Sequence, residues 1–409
     1  MQRVSNQRSP IRDSHAPRAR NEHTFGLLRL ISPTLPPTSL HARAVTFALL
    51  GDVTGSSRAL RQIRALDDLG LEVRVVQVGA PRAPQVLPKA VRLDVLEVGG
   101  RGPALFVQAH RAVARALASS RSGLYLASDL YVLPALASRA ERAGAALVYD
   151  SRELYAALDS SAGRPWVRAV WRAVESRSIR RADAVLTVGD AIADVLEDAY
   201  AIARPTVLHN APEPLEGEPD QAALGRSLGL PDDGRVVVLY QGLFRRGRGL
   251  EALLEATRRV EDVRLVLIGE GDLEDEIRRA DLGDRLVVSP FVPPDRLATL
   301  TPGADLGACL IEPLTESLRL SLPNKLFEYL AAGVPVLASP LPEIEAVVRQ
   351  GVGVLADPSN PEDIAEALRR ALDPAQRVRW RAKTASTLEP YTWTHGRATF
   401  QALVASLLR

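Results

Sequence analysis

From Ala44 onward, short apolar runs alternate with amphipathic stretches. AVTFALL (44–50), LEVRVVQV (71–78), LYLAS (124–128), ALVYD (146–150), DAVLTV (183–188) and TVLHN (206–210) are short, largely apolar runs, which predicts buried strands. Between them, RALRQIRALDDLG, ALFVQAHRAVARALAS and PALASRAERAG repeat apolar positions at helical spacing, and Gly144 closes the last. Strands alternating with helices imply a parallel sheet covered on both faces.

The alternation pauses in a Pro-, Glu- and Gly-rich stretch between Asn210 and Gly234 and then restarts. RVVVLY, VRLVLIG, RLVVSPFV, ADLGACLI and PVLAS read as strands, with LEALLEATRRV, LEDEIRRA, LFEYLAAG and PEDIAEALRRAL as helices. The chain therefore reads as an α/β protein of two doubly wound units, residues 43–212 and 213–390, facing a cleft. Residues 391–409 form a last helix. Ligands of open parallel sheets bind at the carboxyl ends of the strands, so the chemistry is expected in that cleft. Residues 1–42, Pro-, Ser- and Arg-rich without periodicity, read as a disordered basic tail or a mis-assigned start.

Composition supports this division. A chain of 409 residues, 46% hydrophobic, exceeds one ordinary core and fits two. Its single cysteine, Cys309, forbids an internal disulfide and suits a reducing, cytoplasmic setting. No run of 18 apolar residues suggests a membrane span. The net charge of +2 divides into +5 over residues 1–43 and −3 over the remainder, which does not advertise a nucleic-acid partner.

Against that slightly acidic body, a few cations stand where helix dipoles disfavour them. In SLPNKLFEYLAAG (321–333), Pro323 and Gly333 delimit a helix whose first turn holds Asn324 and Lys325. An anionic ligand at that terminus would be met by free N–H groups and by Lys325. Glu328, three residues on, could accept two hydroxyls of a ribose. The competing reading is a solvated Lys–Glu pair.

In QGLFRRGRG (241–249), Arg245, Arg246 and Arg248 cluster with Gly242 where the next helix begins, which suits a diphosphate; a solvated basic loop is the alternative. IGEGDLEDEI offers only Gly269 or Gly271 to a ligand, because its acids would repel phosphate. GDVTGSS, with Gly51, fits neither of the common nucleotide-loop spacings. Asp129, Asp150, Arg152 and Glu153 follow or end strands of the first half and could reach the cleft as well as cap loops.

The segment RPWVRAVWRAVESRSIRR (164–181) carries six Arg and two Trp. Packing of the Trp side chains into the core is the commoner arrangement, and an anionic membrane surface the alternative. No convincing Asp-x-Asp loop or His cluster points to a metal.

VVVLYQG…RGRGLEALLEA, RLVLIGEGDLEDEI, PNKLFEYLAAGVPVLAS and GVGVLADPSNPEDIAEAL together resemble the donor half of retaining glycosyltransferases of the large family 4. SDLYVLPALA, VYDSRELY and DAVLTVGDAIADVL resemble its first half more loosely. The resemblance implies the GT-B fold, two Rossmann-like domains with the terminal helix crossing back to the first. It further implies metal-independent transfer from a UDP- or GDP-sugar, with retention, to a glycan, lipid-linked or small-molecule acceptor. No cofactor is needed beyond that co-substrate.

By the same resemblance Glu328 meets the ribose, Arg248 the diphosphate, and the Pro290–Val292 backbone, with Phe291 and Val292, the base. Lys325 would neutralise the diphosphate beside Pro323 and Asn324, while Arg152, Asp129, Asp150, Glu153 and Gly51 would border the sugar or acceptor. Three departures stand out. Leu320 occupies the position of a second Glu, for which Glu312 or Glu316 would substitute. Leu243 replaces an Arg, leaving Arg245 or Arg246 to serve, and Arg152 replaces a His. A catalytically impaired binding protein and a sugar-nucleotide epimerase are the rival readings. A cytoplasmic setting with peripheral contact at the anionic inner membrane face is compatible with these readings.

Overall fold

The computed structural model describes residues 43–80, 87–100, 102–157, 164–215 and 217–409; the expected tail, 1–42, lies outside the described residues. Seven strands build the first sheet: β1 (Ala44–Leu50), β2 (Glu72–Val78), β3 (Arg92–Leu96), β4 (Leu124–Ala127), β5 (Ala146–Ser151), β6 (Ala184–Thr187) and β7 (Thr206–Val207). They lie in the order β3-β2-β1-β4-β5-β6-β7, with all pairings parallel. Six strands build the second: β8 (Val236–Gln241), β9 (Val263–Ile268), β10 (Leu286–Ser289), β11 (Leu306–Cys309), β12 (Val336–Ala338) and β13 (Gly353–Leu355). Their order, β10-β9-β8-β11-β12-β13, repeats the first sheet's winding.

In both sheets the chain starts centrally, winds to one edge, and returns to continue on the other side. Switch points therefore fall between β1 and β4 and between β8 and β11, where the loops part and leave a crevice. The central strands are buried on both faces: Val45, Phe47, Leu124, Leu126, Val263 and Leu265 are wholly excluded from solvent. This is why they read as unbroken apolar runs.

The expected fold class, two doubly wound halves with a terminal helix crossing back, is the one observed. The helix Trp393–Leu407 inserts Trp393, Phe400 and Val404 into the first half's core, beside Ile63 and Leu66 of the helix Ser57–Asp68. Arg397 pairs with Asp68 at 2.7 Å, and Gln401 Nε2 donates to the Ala65 carbonyl at 3.0 Å.

Three sequence expectations need adjustment. β3 and β13 had no predicted counterpart; each is an edge strand, so RLDVL is only partly buried and GVL is brief. The TVLHN run shortens to Thr206–Val207, because the chain leaves the sheet there to form the linker. Trp166 and Trp171 also part company: Trp171 packs on Phe106 and Tyr131, with ring centroids 4.9 and 5.3 Å away, whereas Trp166 faces solvent.

Candidate active site

A cavity of about 520 Å³ opens between the halves. Gly55, Ser56 and Ser57, after β1, and Arg152 and Glu153, after β5, form its first wall. Asn210 of the linker closes one end, and Arg248, Ser321, Pro323 and Asn324 form the second wall. The carboxyl ends of both sheets thus contribute, as the switch-point argument requires.

The second wall depends on close backbone packing. Phe244 is buried and anchors the loop after β8. A Cβ on Gly269 would lie 1.9 Å from the Gly242 carbonyl oxygen, and one on Gly271 would lie 2.4 Å from that of Phe244. Both glycines therefore let the loops after β8 and β9 touch, and neither lines the cavity. Gly249, at φ 64°, turns the chain into the helix Leu250–Arg258. Its N–H donates to Glu312 Oε1 at 3.2 Å. Arg248 precedes this turn and forms no ion pair among the described residues.

Lys325 lies in the first turn of the helix Asn324–Ala331, beside Gly242, with Nζ 3.8 Å from the Tyr240 ring centroid. That cation–π contact does not replace a carboxylate partner. Burial lowers its pKa to about 8, opposed by the fields of Cys309 and Glu328 and reinforced by that of Arg248. Glu328 opens to solvent between low-dielectric walls that raise its carboxyl above the ordinary range, against the fields of Lys325 and Arg61. Gln241 Nε2 donates to Glu328 Oε2 at 2.6 Å, and the Thr301 hydroxyl donates to Gln241 Oε1 at 3.2 Å. The chain Thr301–Gln241–Glu328 fixes one carboxylate oxygen.

The first wall is organised differently. Arg58, in the first turn of the helix Ser57–Asp68, grips Asp150 through Nε at 2.8 Å and Nη2 at 2.7 Å. Gln62 adds a third donor to that carboxylate at 2.9 Å. Asp150 therefore sits wholly buried within β5 and does not line the cavity, in contrast to the loop position expected for it. Asp129 is likewise buried, accepting from the N–H groups of Leu50, Tyr131 and Val132 at 2.6, 2.8 and 3.1 Å. Desolvation raises its pKa despite those bonds. It ties β1 to β4 at the switch point. Gly51 donates to the Val78 carbonyl at 2.8 Å and also stays out of the cavity.

Of the remaining expected residues, Arg152 does enter the cavity, its Nη1 donating weakly to Ser56 Oγ at 3.4 Å. Arg245 and Arg246 are exposed outside it, and Arg246 lies 3.7 Å from Glu276. Phe291 stands 60% exposed after β10, with Val292 half-buried beside it. Leu320 packs into the first half's core. Glu312 is spent on the Gly249 N–H, and Glu316 lies 3.9 Å from Arg319.

Sequence reasoning missed Asn210, which donates to Ser57 Oγ at 3.0 Å and to Asn324 Oδ1 at 3.4 Å, linking the first turns of two helices across the cleft. It also missed Gln241. The available signals were Ser-Ser before a helix at the end of β1, and a polar residue ending the apolar run of β8.

Comparison with known proteins places this geometry. A family model described as glycosyl transferases group 1 matches residues 235–374, and a glycosyl transferase 4-like domain matches residues 54–211. A 2-deoxystreptamine glucosyltransferase of Streptomyces kanamyceticus is 26% identical over 216 residues, 49% of this chain and 54% of that protein. The chain thus matches about half the length of this curated relative. Among solved structures, sucrose-phosphate synthase from Thermosynechococcus elongatus superposes with a TM-score of 0.74 at 19% identity, over 89% of this chain and 99% of the other. Anabaena Alr3699/HepE in complex with UDP-glucose superposes with a TM-score of 0.66 at 17% identity, over the same shares. At these identities the superpositions establish the fold.

Proposed function

This chain belongs to the glycosyl transferases of group 1, and on that premise we propose that it moves a sugar from a nucleoside diphosphate sugar to an acceptor. The reaction retains the anomeric configuration and needs no metal. The single observation that carries the reading is the pair Arg248 and Lys325. Arg248 immediately precedes the turn into one helix of the second half and Lys325 lies in the first turn of another, and among the described residues neither has a carboxylate in salt-bridge contact. A diphosphate supplies the missing charge.

As the bond from the anomeric carbon to the diphosphate breaks, negative charge grows on the leaving oxygens. Preorganised cations and helix N–H groups stabilise that charge more in the transition state than in the ground state. Glu328, with one oxygen held by Gln241, keeps its other oxygen for the ribose hydroxyls. The UDP-glucose complex of a structural neighbour supports a nucleotide-sugar donor. Arg152 faces the sugar or acceptor.

The test is turnover with UDP-, GDP- and ADP-sugars, together with thermal stabilisation by each nucleotide. Stabilisation by one nucleotide, abolished in Glu328→Ala, is expected, and the product's anomeric configuration checks retention. If no nucleotide stabilises the chain and Glu328→Ala changes nothing, the reading fails. Nucleotide binding without turnover on any donor would instead identify a binding protein.

A further inference from the structure

The first wall of the cavity is rich in hydrogen-bond donors and poor in acceptors. Ser56 Oγ accepts from the Ala59 N–H at 3.3 Å and from Arg152 at 3.4 Å, so its lone pairs are taken and its proton is left to donate. Ser57 Oγ accepts from Asn210 Nδ2 at 3.0 Å, and Asn210 Oδ1 in turn accepts from Arg61 at 2.8 Å. Among the described lining residues Glu153 is the only acid, against Arg58, Arg152 and Arg248. It is exposed, where solvent and salt weaken its field.

Arg58 is neutralised by Asp150, but Arg152 is placed differently. Burial works against its charge, and the fields of Tyr155, Asp129 and Asp150 outweigh that and raise its pKa. These acids balance the charge without bonding it. Asp129 spends both oxygens on backbone N–H groups, and Asp150 spends both on Arg58 and Gln62. Every nitrogen of a guanidinium is a donor, yet among the described residues the Arg152 side chain forms no ion pair and only the long bond to Ser56. The Tyr155 hydroxyl near it is buried without a hydrogen-bond partner of its own.

We propose that Arg152 makes this wall a site for an anionic group, a phosphate or a carboxylate, carried by the acceptor or by the transferred sugar. The group accepts from the guanidinium and from the hydroxyls of Ser56 and Ser57. The inference rests on the transferase reading of the cleft and deepens it: Arg248 and Lys325 serve the nucleoside diphosphate, and Arg152 selects a substrate with a second, separate negative charge. A neutral substrate leaves these donors short of acceptors, so it is rejected by what it fails to pair.

The experiment titrates inorganic phosphate, at constant ionic strength, into the Arg248→Gln, Lys325→Gln double variant, whose diphosphate cations are gone. The same titration is run with Arg152→Gln or Arg152→Lys added. The double variant should bind phosphate saturably, Arg152→Gln should weaken that binding roughly tenfold to a hundredfold, and Arg152→Lys should retain part of it. Melting temperatures without phosphate check that the variants fold alike, and the charge kept in Arg152→Lys guards against a misfolded Arg152→Gln. In the native background, Arg152→Gln should leave nucleoside diphosphate affinity unchanged.

Two further arms locate the anion. For the nucleoside diphosphate that binds, its glucose and glucuronate esters are compared; a preference for glucuronate that Arg152→Gln erases places the charge on the sugar. Equal affinity for the two esters, with phosphate still binding beside the bound nucleotide, places it on the acceptor. Phosphate binding that is indifferent to Arg152, its absence from the double variant, or its exclusion by bound nucleotide would each overturn the proposal. So would a fall in nucleotide affinity as large in Arg152→Gln as in Arg248→Gln. Nucleotide binding without an Arg152-dependent phosphate site would sink this inference and leave the transfer reading standing, whereas the phosphate site without any nucleotide binding would sink the transfer reading alone.

Discussion

The two halves share one winding order but treat the cations at their cleft-side helix starts in opposite ways. In the first half, Arg58 begins the helix after β1 and is held by Asp150, with side-chain exposures of 4% and 0%. Arg61, one turn on, donates to the backbone carbonyls of Asn210 and Ala211 at 2.8 and 3.1 Å. These cations fasten the linker to the first sheet. In the second half, Arg248 and Lys325 occupy comparable places at helix starts with no carboxylate in salt-bridge contact among the described residues. A buried arginine with its acid is architecture; a helix-start cation without one is a site awaiting an anion. Charge alone does not separate the two cases, but the partner does.

That contrast can be broken from either side. The largest effect should come from the first half. Asp150→Ala strands Arg58 in the interior, and removing one member of a buried pair costs about 3–5 kcal/mol, to be read from chemical denaturation. Arg248→Ala should leave stability within about 0.5 kcal/mol while lowering kcat by roughly 10²–10³-fold. If the two variants exchange these phenotypes, the comparison is wrong.

Glu328→Gln keeps the Gln241 neighbourhood but removes the charge from the expected ribose contact. A hydrogen bond to a charged group contributes about 1.5–3 kcal/mol, so donor KM should rise roughly tenfold to a hundredfold, with a smaller change in kcat. The pH dependence sharpens the role of Lys325. Its free-state pKa is lowered to about 8, so the ammonium is present at neutral pH and is lost as pH rises through that value. A bound diphosphate favours the charged form, so nucleotide affinity should be flat below about 8 and fall above it by up to about tenfold per pH unit. Titration at several pH values checks this, and Lys325→Gln should erase the inflection. The smallest effect is expected from Gln241→Ala, a several-fold rise in donor KM from a carboxylate left free to turn.

Much of the fold was legible because its strands are buried on both faces. AVTFALL coincides residue for residue with β1, and Gly144 ends its helix at φ 61° as read. The edge strands β3 and β13 were not legible, since one is half-exposed and the other only three residues long. Within the site, Lys325 was conspicuous because it violates helix-dipole logic locally. Asp150 could not be placed from sequence: its partner Arg58 is 92 residues away, and the same acid suits a loop or a buried pair. Asn210 and Gln241 gain their positions from contacts with chain segments 87 to 153 residues distant, which spacing does not reveal.

The central claim is that the unpartnered cations of the second half bind a diphosphate. Calorimetric titration of UDP, GDP and ADP into the native chain and into Lys325→Gln at pH 7 tests it most directly. One nucleotide should bind the native chain, and the variant should bind it at least tenfold more weakly with an unchanged melting temperature. Equal affinity in the two proteins, or no binding of any nucleoside diphosphate, would contradict the account.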